Sequence, residues 1–285
     1  MNITHSKKKS DLVANIIAYI FIGVIVIFTL YPIVYTLLGS FKSNAELTLG
    51  SSFFPQEWHP ENFYTAFVRS NFAQYFINST TISLAVMVLA VITTSLAGYV
   101  FARREFVGKK FWLGLYTALM FIALGSVTLY PTYTLLAKLK INKILLGLIL
   151  TLLGAQISNV MLVRGFVNGL PKELDEAAIL DGCSPFQVYW KIILPLIRPI
   201  IAVTALFSFR TAWNDYITTL VFSISMPSLR TLTVAVVQLR YSANAAAEWH
   251  IMLAGAAIAI VPILIVYMFC HKQFIGGLTA GAVKG

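Results

Sequence analysis

The stretch 168-NGLPKELDEAAILDGCSPFQVYWKIILP-195 decides how the chain is read, because it is polar and helix-patterned where its surroundings are apolar. Pro171 suits the first position of a helix, where a missing N–H costs nothing. Glu173, Asp175 and Glu176 fall in the opening turns, where carboxylates complement the helix dipole. Gly182 supplies the left-handed residue that ends such a helix. Ser184-Pro185-Phe186-Gln187 fits a capping box, with Ser at the cap, Pro first and Gln third. Pro195 and Pro199 close the second helix. Local chemistry therefore writes helix, glycine corner, helix. Ala177 and Ala178 are small enough for a partner backbone to approach, and Glu176 offers a charge to a basic partner group. A short rigid helix presented this way suits insertion into a groove. An ordinary pair of capped interfacial helices is the plainer alternative.

Outward from this loop the chain is apolar. Ile144 to Val163 precedes it and Ile200 to about Phe222 follows it, each near the roughly 20 residues that a spanning helix needs. Leu12 to Leu38, a run within Phe76 to Ala102, Phe111 to about Leu136 (with Pro131 near its end) and Trp249 to Cys270 complete a set of six. Continuous apolarity selects helices, since barrel strands alternate in and out over about 10 residues. Only 11% of the residues are charged, against about 25% in soluble domains. The expected fold is an all-α integral membrane protein with six transmembrane helices and one polar cytoplasmic loop. Residues 1–11 are the cytoplasmic N-terminus, 12–275 the membrane domain, with the loop at 168–199, and 276–285 a cytoplasmic tail. The first apolar run is too long for a signal-peptide core of about 7–15 residues, so it reads as a retained helix.

Lys and Arg placement sets the orientation. With both termini inside, the inside segments carry 13 basic residues and the outside segments seven. The short loop from Lys138 to Lys143 runs against this bias. The long first outer segment, about residues 40–75, holds Phe53, Phe54, Pro55, Trp58 and Pro60. It reads as an interfacial segment on the outer leaflet. The net charge of +10 sits in short clusters between apolar runs, so no basic stripe for nucleic acid is formed. Cys183 and Cys270 have no metal or redox spacing and read as free thiols. No metal site and no converging catalytic set is visible.

The loop resembles a known family. Glu176-Ala177-Ala178, Gly182, then Ile192, Leu194 and Pro195 match the E-A-A-x-x-x-G-x9-I-x-L-P pattern of ABC importer permeases at every defined position. In that family the loop is a coupling helix that docks in a cleft of the ATPase subunit. The resemblance thus implies an ATPase-coupling role for Glu176, Ala177, Ala178, Asp181, Gly182, Ile192, Leu194 and Pro195. The tail from Gly276 to Gly285 resembles the terminus of the smaller permease subunit of maltose-type carbohydrate importers. Tyr31-Pro32, Ser40-Phe41-Lys42 and Trp213-Asn214-Asp215 are similar to the same subfamily, so the likeness runs from about residue 12 to 285. It implies that Thr279, Gly281 and Lys284 in the tail reach the ATPase dimer. It further implies a sugar substrate, a second permease, two ATPase subunits and an extracellular binding protein, in a bacterial plasma (inner) membrane. ATP and magnesium would be held by the ATPase subunits, with no cofactor in this chain. That agrees with the lack of a Gly-x4-Gly-Lys-Ser/Thr phosphate loop.

Arg210 and Asp215 lie within or near the fifth apolar run, where ionisable groups cost about 2.5–3.5 kcal/mol or more and usually face a cavity or a partner. Arg210, Trp213, Asn214 and Asp215 offer the aromatic and hydrogen-bonding groups that a sugar path needs. Contact with a second permease explains them equally well. The rival functions are an importer of a non-sugar solute, an ion-coupled secondary transporter and a membrane-embedded enzyme. A secondary transporter should show interrupted helix pairs or inverted repeats with midplane acids, and neither is evident.

Overall fold

The computed structural model describes the backbone of residues 3–50, 52–69, 71–121, 125–154, 156–240 and 247–282, with side chains over most of that range. Among the described residues the chain is mostly helical and holds no strand. In order the helices are α1 (Ile3–Gly39), α2 (Asn44–Thr48), α3 (Glu61–Arg69), α4 (Phe72–Arg103), α5 (Lys109–Phe121), α6 (Leu129–Lys138), α7 (Leu145–Leu153) and α8 (Ile157–Asn168). Then come α9 (Glu173–Leu180), α10 (Pro185–Val188), a π-helical turn at Tyr189–Ile193, α11 (Leu194–Leu196), α12 (Arg198–Trp213), α13 (Ile217–Ile224), α14 (Leu232–Gln238) and α15 (Trp249–Ala282). The chain divides into two compact units, Met1–Ser70 with Val236–Ile258, and Asn71–Ala235 with Ala259–Gly285.

In the first unit, α1 is long and apolar enough to span a membrane over Ala14–Gly39. Pro32 lies inside it, and the hydroxyl of Thr36 donates to the Pro32 carbonyl at 2.8 Å, which occupies a polar group that lipid could not satisfy. The outer segment after α1 is organised around Lys42. This lysine is fully buried, with its ammonium bonded to the Ser52 carbonyl and 3.7 Å from Glu46 Oε1. Asn62 clamps the chain by donating to the carbonyls of Ser40 and Lys42, each at 2.9 Å. Outside this clamp, Phe54, Trp58, Tyr64, Phe67 and Val68 are exposed, the residue types expected of an interfacial segment. The backbone N–H of Glu61, and then His59 at 2.7 Å, hold the Glu61 carboxyl below the usual carboxylate range.

In the second unit, α4 is the central element and packs along α12, α8 and α7. Its apolar length, Phe72–Arg103, suffices for a span. Small residues let helices approach in lipid, and Gly98 shows the point. A Cβ there would lie 2.6 Å from Val163 Cγ1 and 3.0 Å from the Arg164 nitrogen, so α4 and α8 meet backbone to backbone. At the other end of α4, Asn78 donates to the carbonyls of Ser228 and Arg230, at 2.7 and 2.9 Å. Ser79 Oγ accepts from the Leu232 N–H at 2.8 Å.

Among the described residues, three helices are long and apolar enough to cross a membrane alone, and up to five spans result if each bent pair counts as one. Three of the apolar runs are not single rods. The run from Phe111 to Leu136 divides into α5, a 3₁₀ turn at Gly125–Thr128 and α6. Pro131 falls in the first turn of α6, where a backbone N–H has no acceptor within that helix. The run from Ile144 to Val163 divides at Gly154 and continues to Asn168, with a 48° bend between α7 and α8. The run from Ile200 to Phe222 divides at 214–216 into α12 and α13. The 16 residues of α12 cover roughly 24 Å at 1.5 Å per residue, short of a bilayer core of about 30 Å. The first residues of the tail continue α15 as far as Ala282. The reason is that a long helix propagates cheaply once nucleated and no proline lies between Ile263 and Gly285. Thr279 and Gly281 therefore sit on helical backbone, while Lys284 lies outside the described residues.

Candidate functional site

The loop between α8 and α12 has the helix–corner–helix form that its caps dictate. Helix α9 starts at Glu173, with Lys172 at its N-cap, so Pro171 precedes the cap rather than opening the helix. Gly182 ends it with φ of +82°. The Cys183 N–H reaches back to the Ala178 carbonyl at 2.9 Å and the Gly182 N–H to that of Ile179 at 3.0 Å, a glycine C-terminal cap. Ser184 and Gln187 form the reciprocal capping box at the start of α10. The helix then runs through its π turn and past Pro195 to Leu196, so Pro195 does not end it. The Leu194 N–H bonds to the Tyr189 carbonyl, five residues back. That wider turn is one of the ways a helix absorbs a proline that would otherwise clash with the carbonyl four residues earlier. Pro199 then sits in the first turn of α12, after an 81° bend.

The two faces of this loop differ in role. Asp175, Ala178, Val188, Tyr189, Ile193 and Ile197 point into the core of the second unit. Ala178 is thus packed against the chain itself and is not open to a partner backbone, whereas Ala177 is exposed. Glu176, Asp181 and Gly182 are exposed, and Ile192, Leu194 and Pro195 are half-buried. The outer surface is apolar at its tip, where Leu180 is 88% exposed, Phe186 64% and Trp190 59%. The rings of Phe186 and Trp190 lie stacked with centroids 6.3 Å apart. Exposed large apolar groups on a polar loop mark an interaction surface.

The polar residues of the fifth apolar run are dispersed. Trp213 is buried, stacked on Phe209 at 5.6 Å and edge-on to Phe76. Its indole N–H donates to the Ala259 carbonyl at 3.2 Å. Asp215 accepts from Thr218 Oγ1 at 2.8 Å, the Thr219 N–H at 2.8 Å and Thr219 Oγ1 at 3.0 Å. These bonds cap α13 and explain the break, because a local carboxylate competes with continuation of the helix. Arg210, Thr211 and Asn214 are exposed, giving α12 a polar end on an otherwise apolar helix. Asp215→Ala should lower the thermal unfolding midpoint of the detergent-purified protein by the loss of a cap, about 1 kcal/mol. Asp215→Asn, which keeps an acceptor, should recover most of it. A direct contact with solute would show instead as lost uptake in the Asn variant at unchanged stability.

Two groups of interior residues escape inspection of motifs. Gln156, Asn159 and Ser208 form a buried triangle at the bend between α7 and α8, with contacts of 2.6, 2.9 and 3.1 Å. Arg103 and Asp175 form an ion pair with Nε to Oδ2 at 3.1 Å and side chains 4% and 13% exposed. The basic pair closing the second apolar run and the extra acid in the loop were the available signals.

Among the described residues, the helices long and apolar enough to cross a membrane, with an apolar-tipped loop between the fourth and fifth apolar runs, define a polytopic membrane protein with an exposed interaction surface. Comparison with known proteins narrows this. Residues 95–276 match the family described as binding-protein-dependent transport system inner membrane component, and the chain belongs to that family. It is similar to the arabinooligosaccharides transport system permease protein of Halalkalibacterium halodurans, 31% identical over 98% of this chain and 100% of that one. It is also similar to the maltodextrin transport system permease protein of Bacillus subtilis, 30% identical over 95% of this chain and 96% of that one. A solved bacterial ABC transporter involved in import of the acidic polysaccharide alginate shares the fold, with a TM-score of 0.76 at 22% identity over 93% of this chain and 98% of that one.

Proposed function

We propose that this chain is one permease subunit of an ATP-driven importer of a carbohydrate, an oligosaccharide, monosaccharide or sugar derivative. The observation that carries the reading is near-full-length similarity, at about 30% identity, to permease proteins named for arabinooligosaccharide, maltodextrin and starch-product transport. The chain spans the membrane six times with both termini in the cytoplasm, the bent and broken helices each serving as one crossing. It acts with a second permease, two ATPase subunits and an extracellular solute-binding protein. Hydrolysis of ATP resides in the ATPase subunits, so the chain is not itself an enzyme.

The loop at 168–199 is the coupling element. Leu180, Phe186 and Trp190 enter a cleft of the ATPase, with Glu176 and Asp181 at its rim. Ile192, Leu194 and Pro195 hold the second arm in place. Residues Thr279, Gly281 and Lys284 extend toward the ATPase dimer. On the membrane side, Arg210 and Asn214 are the groups free to meet solute or the second permease, while Trp213 and Asp215 support them. A thermal-shift screen of sugars against the cognate binding protein, followed by ATP-dependent uptake of the hit into proteoliposomes, tests the reading. A sugar hit with uptake that requires ATP supports it. An amino acid, phosphate or peptide hit would move the chain to another solute class, and uptake driven by an ion gradient without ATP would overturn it.

A further inference from the structure

One face of α4 grips both arms of the loop. Ser95, Tyr99 and Arg103 recur every four residues and so line a single stripe. Arg103 pairs with Asp175 on α9 at 3.1 Å, and its Nη2 donates to the carbonyls of Leu170 and Pro171 at 2.8 and 3.2 Å. Tyr99 reaches Asp175 Oδ1 at 3.5 Å and accepts from Arg104 at 3.2 Å. Across the glycine corner, Ser95 Oγ bonds the Tyr189 hydroxyl at 2.8 Å, and the Tyr99 and Tyr189 rings pack at 5.4 Å. The stripe therefore holds the loop on either side of Gly182. A buried ion pair is a poor source of net stability, because desolvation offsets most of the attraction. What it does supply is fixed orientation.

We propose that Ser95, Tyr99, Arg103, Asp175 and Tyr189 form a clasp that makes the loop and α4 one rigid body. Motion imposed on the loop is thereby delivered to the central helix, in addition to the covalent route through α8 and α12. These are positioning residues, since none is offered as touching nucleotide or solute. The proposal rests on the coupling reading above. Without the clasp the loop would pivot on its two connections, at 169–172 and 196–198, and α4 would lag behind it.

The test uses the full complex with Cys183 and Cys270 replaced by Ser, and spin labels on Ile179→Cys in α9 and Val88→Cys in α4, both exposed positions. With the clasp intact, the distance between labels is single and unchanged between nucleotide-free complex and complex trapped with Mg-ATP and vanadate. Asp175→Ala and Arg103→Ala should broaden it or add a second population. They should also cut ATP hydrolysis stimulated by the binding protein at least about fivefold, the scale of a coupling energy between sites, with ATPase subunits still co-purifying. The double variant should be no worse than either single one. Tyr189→Phe and Ser95→Ala, which strand no charge, should show smaller broadening if the charge variants fail to insert. A distance that shifts on trapping with the clasp intact, or variants indistinguishable from wild type, overturns the proposal. Failure of the ATPase to co-purify with the wild-type chain would instead overturn the coupling reading. The clasp would then be judged from label distances in the permease alone.

Discussion

Gly182→Pro is expected to abolish ATP-driven uptake while leaving the chain inserted in the membrane. Gly182 holds φ at +82°, and a proline ring locks φ near −65°. The substitution also removes the N–H that bonds the Ile179 carbonyl. Both changes unwind the corner, so α9 and α10 can no longer be held at a fixed angle. Nothing lies within 4 Å of a Cβ placed at this glycine. Gly182→Ala therefore meets only the left-handed backbone penalty, roughly 1–2 kcal/mol, and should reduce uptake far less. The order wild type, Ala, Pro in uptake, at equal membrane content on immunoblots, is the expected result. Equal uptake in all three would remove the corner from the mechanism.

Leu180→Glu should release the ATPase subunits. Leu180 is the most exposed large apolar residue of the loop, at 88%, and makes no contribution to the chain's own core. Loss of an apolar anchor from an interface centre costs about 2 kcal/mol or more, close to a 30-fold loss of affinity. The added carboxylate deepens the effect. Co-purification of the ATPase at dilute concentration should fall accordingly, with the folded permease unchanged in yield and unfolding midpoint. Glu176→Lys, at the rim, should act in the same direction but more weakly. A variant that fell in both yield and ATPase content would point to a structural role for Leu180 instead.

The caps of the loop are legible in sequence because each is a local bond between residues three to five apart. Ser184 with Gln187, and Gly182 with its left-handed φ, need no tertiary information. The apolar runs are equally legible, since burial in lipid depends on composition over about 20 residues. What hydropathy cannot register is a break inside such a run. The interruption at 214–216 arises from three bonds to one carboxylate, which barely alter mean apolarity, although Asp215 followed by Thr218 and Thr219 is a readable capping pattern. The inward turn of Ala178 and the burial of Trp213 depend on which face of each helix meets α4. That choice is made by distant partners such as Gly98 and Val163. The Arg103–Asp175 pair likewise joins residues far apart in the chain, and each taken alone reads as an ordinary surface charge near a helix end.

Cross-linking through the tip of the loop tests the central claim most directly. A Leu180→Cys variant, with Cys183 and Cys270 replaced by Ser, is coexpressed with its ATPase in membranes and treated with a maleimide–benzophenone cross-linker, whose maleimide alkylates the introduced thiol and whose photoactivated ketone inserts into a C–H bond of whatever lies beside it. The account predicts a single adduct joining this chain to the ATPase subunit, suppressed in the Gly182→Pro background. An ATPase that co-purifies yet never cross-links from residue 180, while cross-linking from exposed positions elsewhere on the chain, would contradict it.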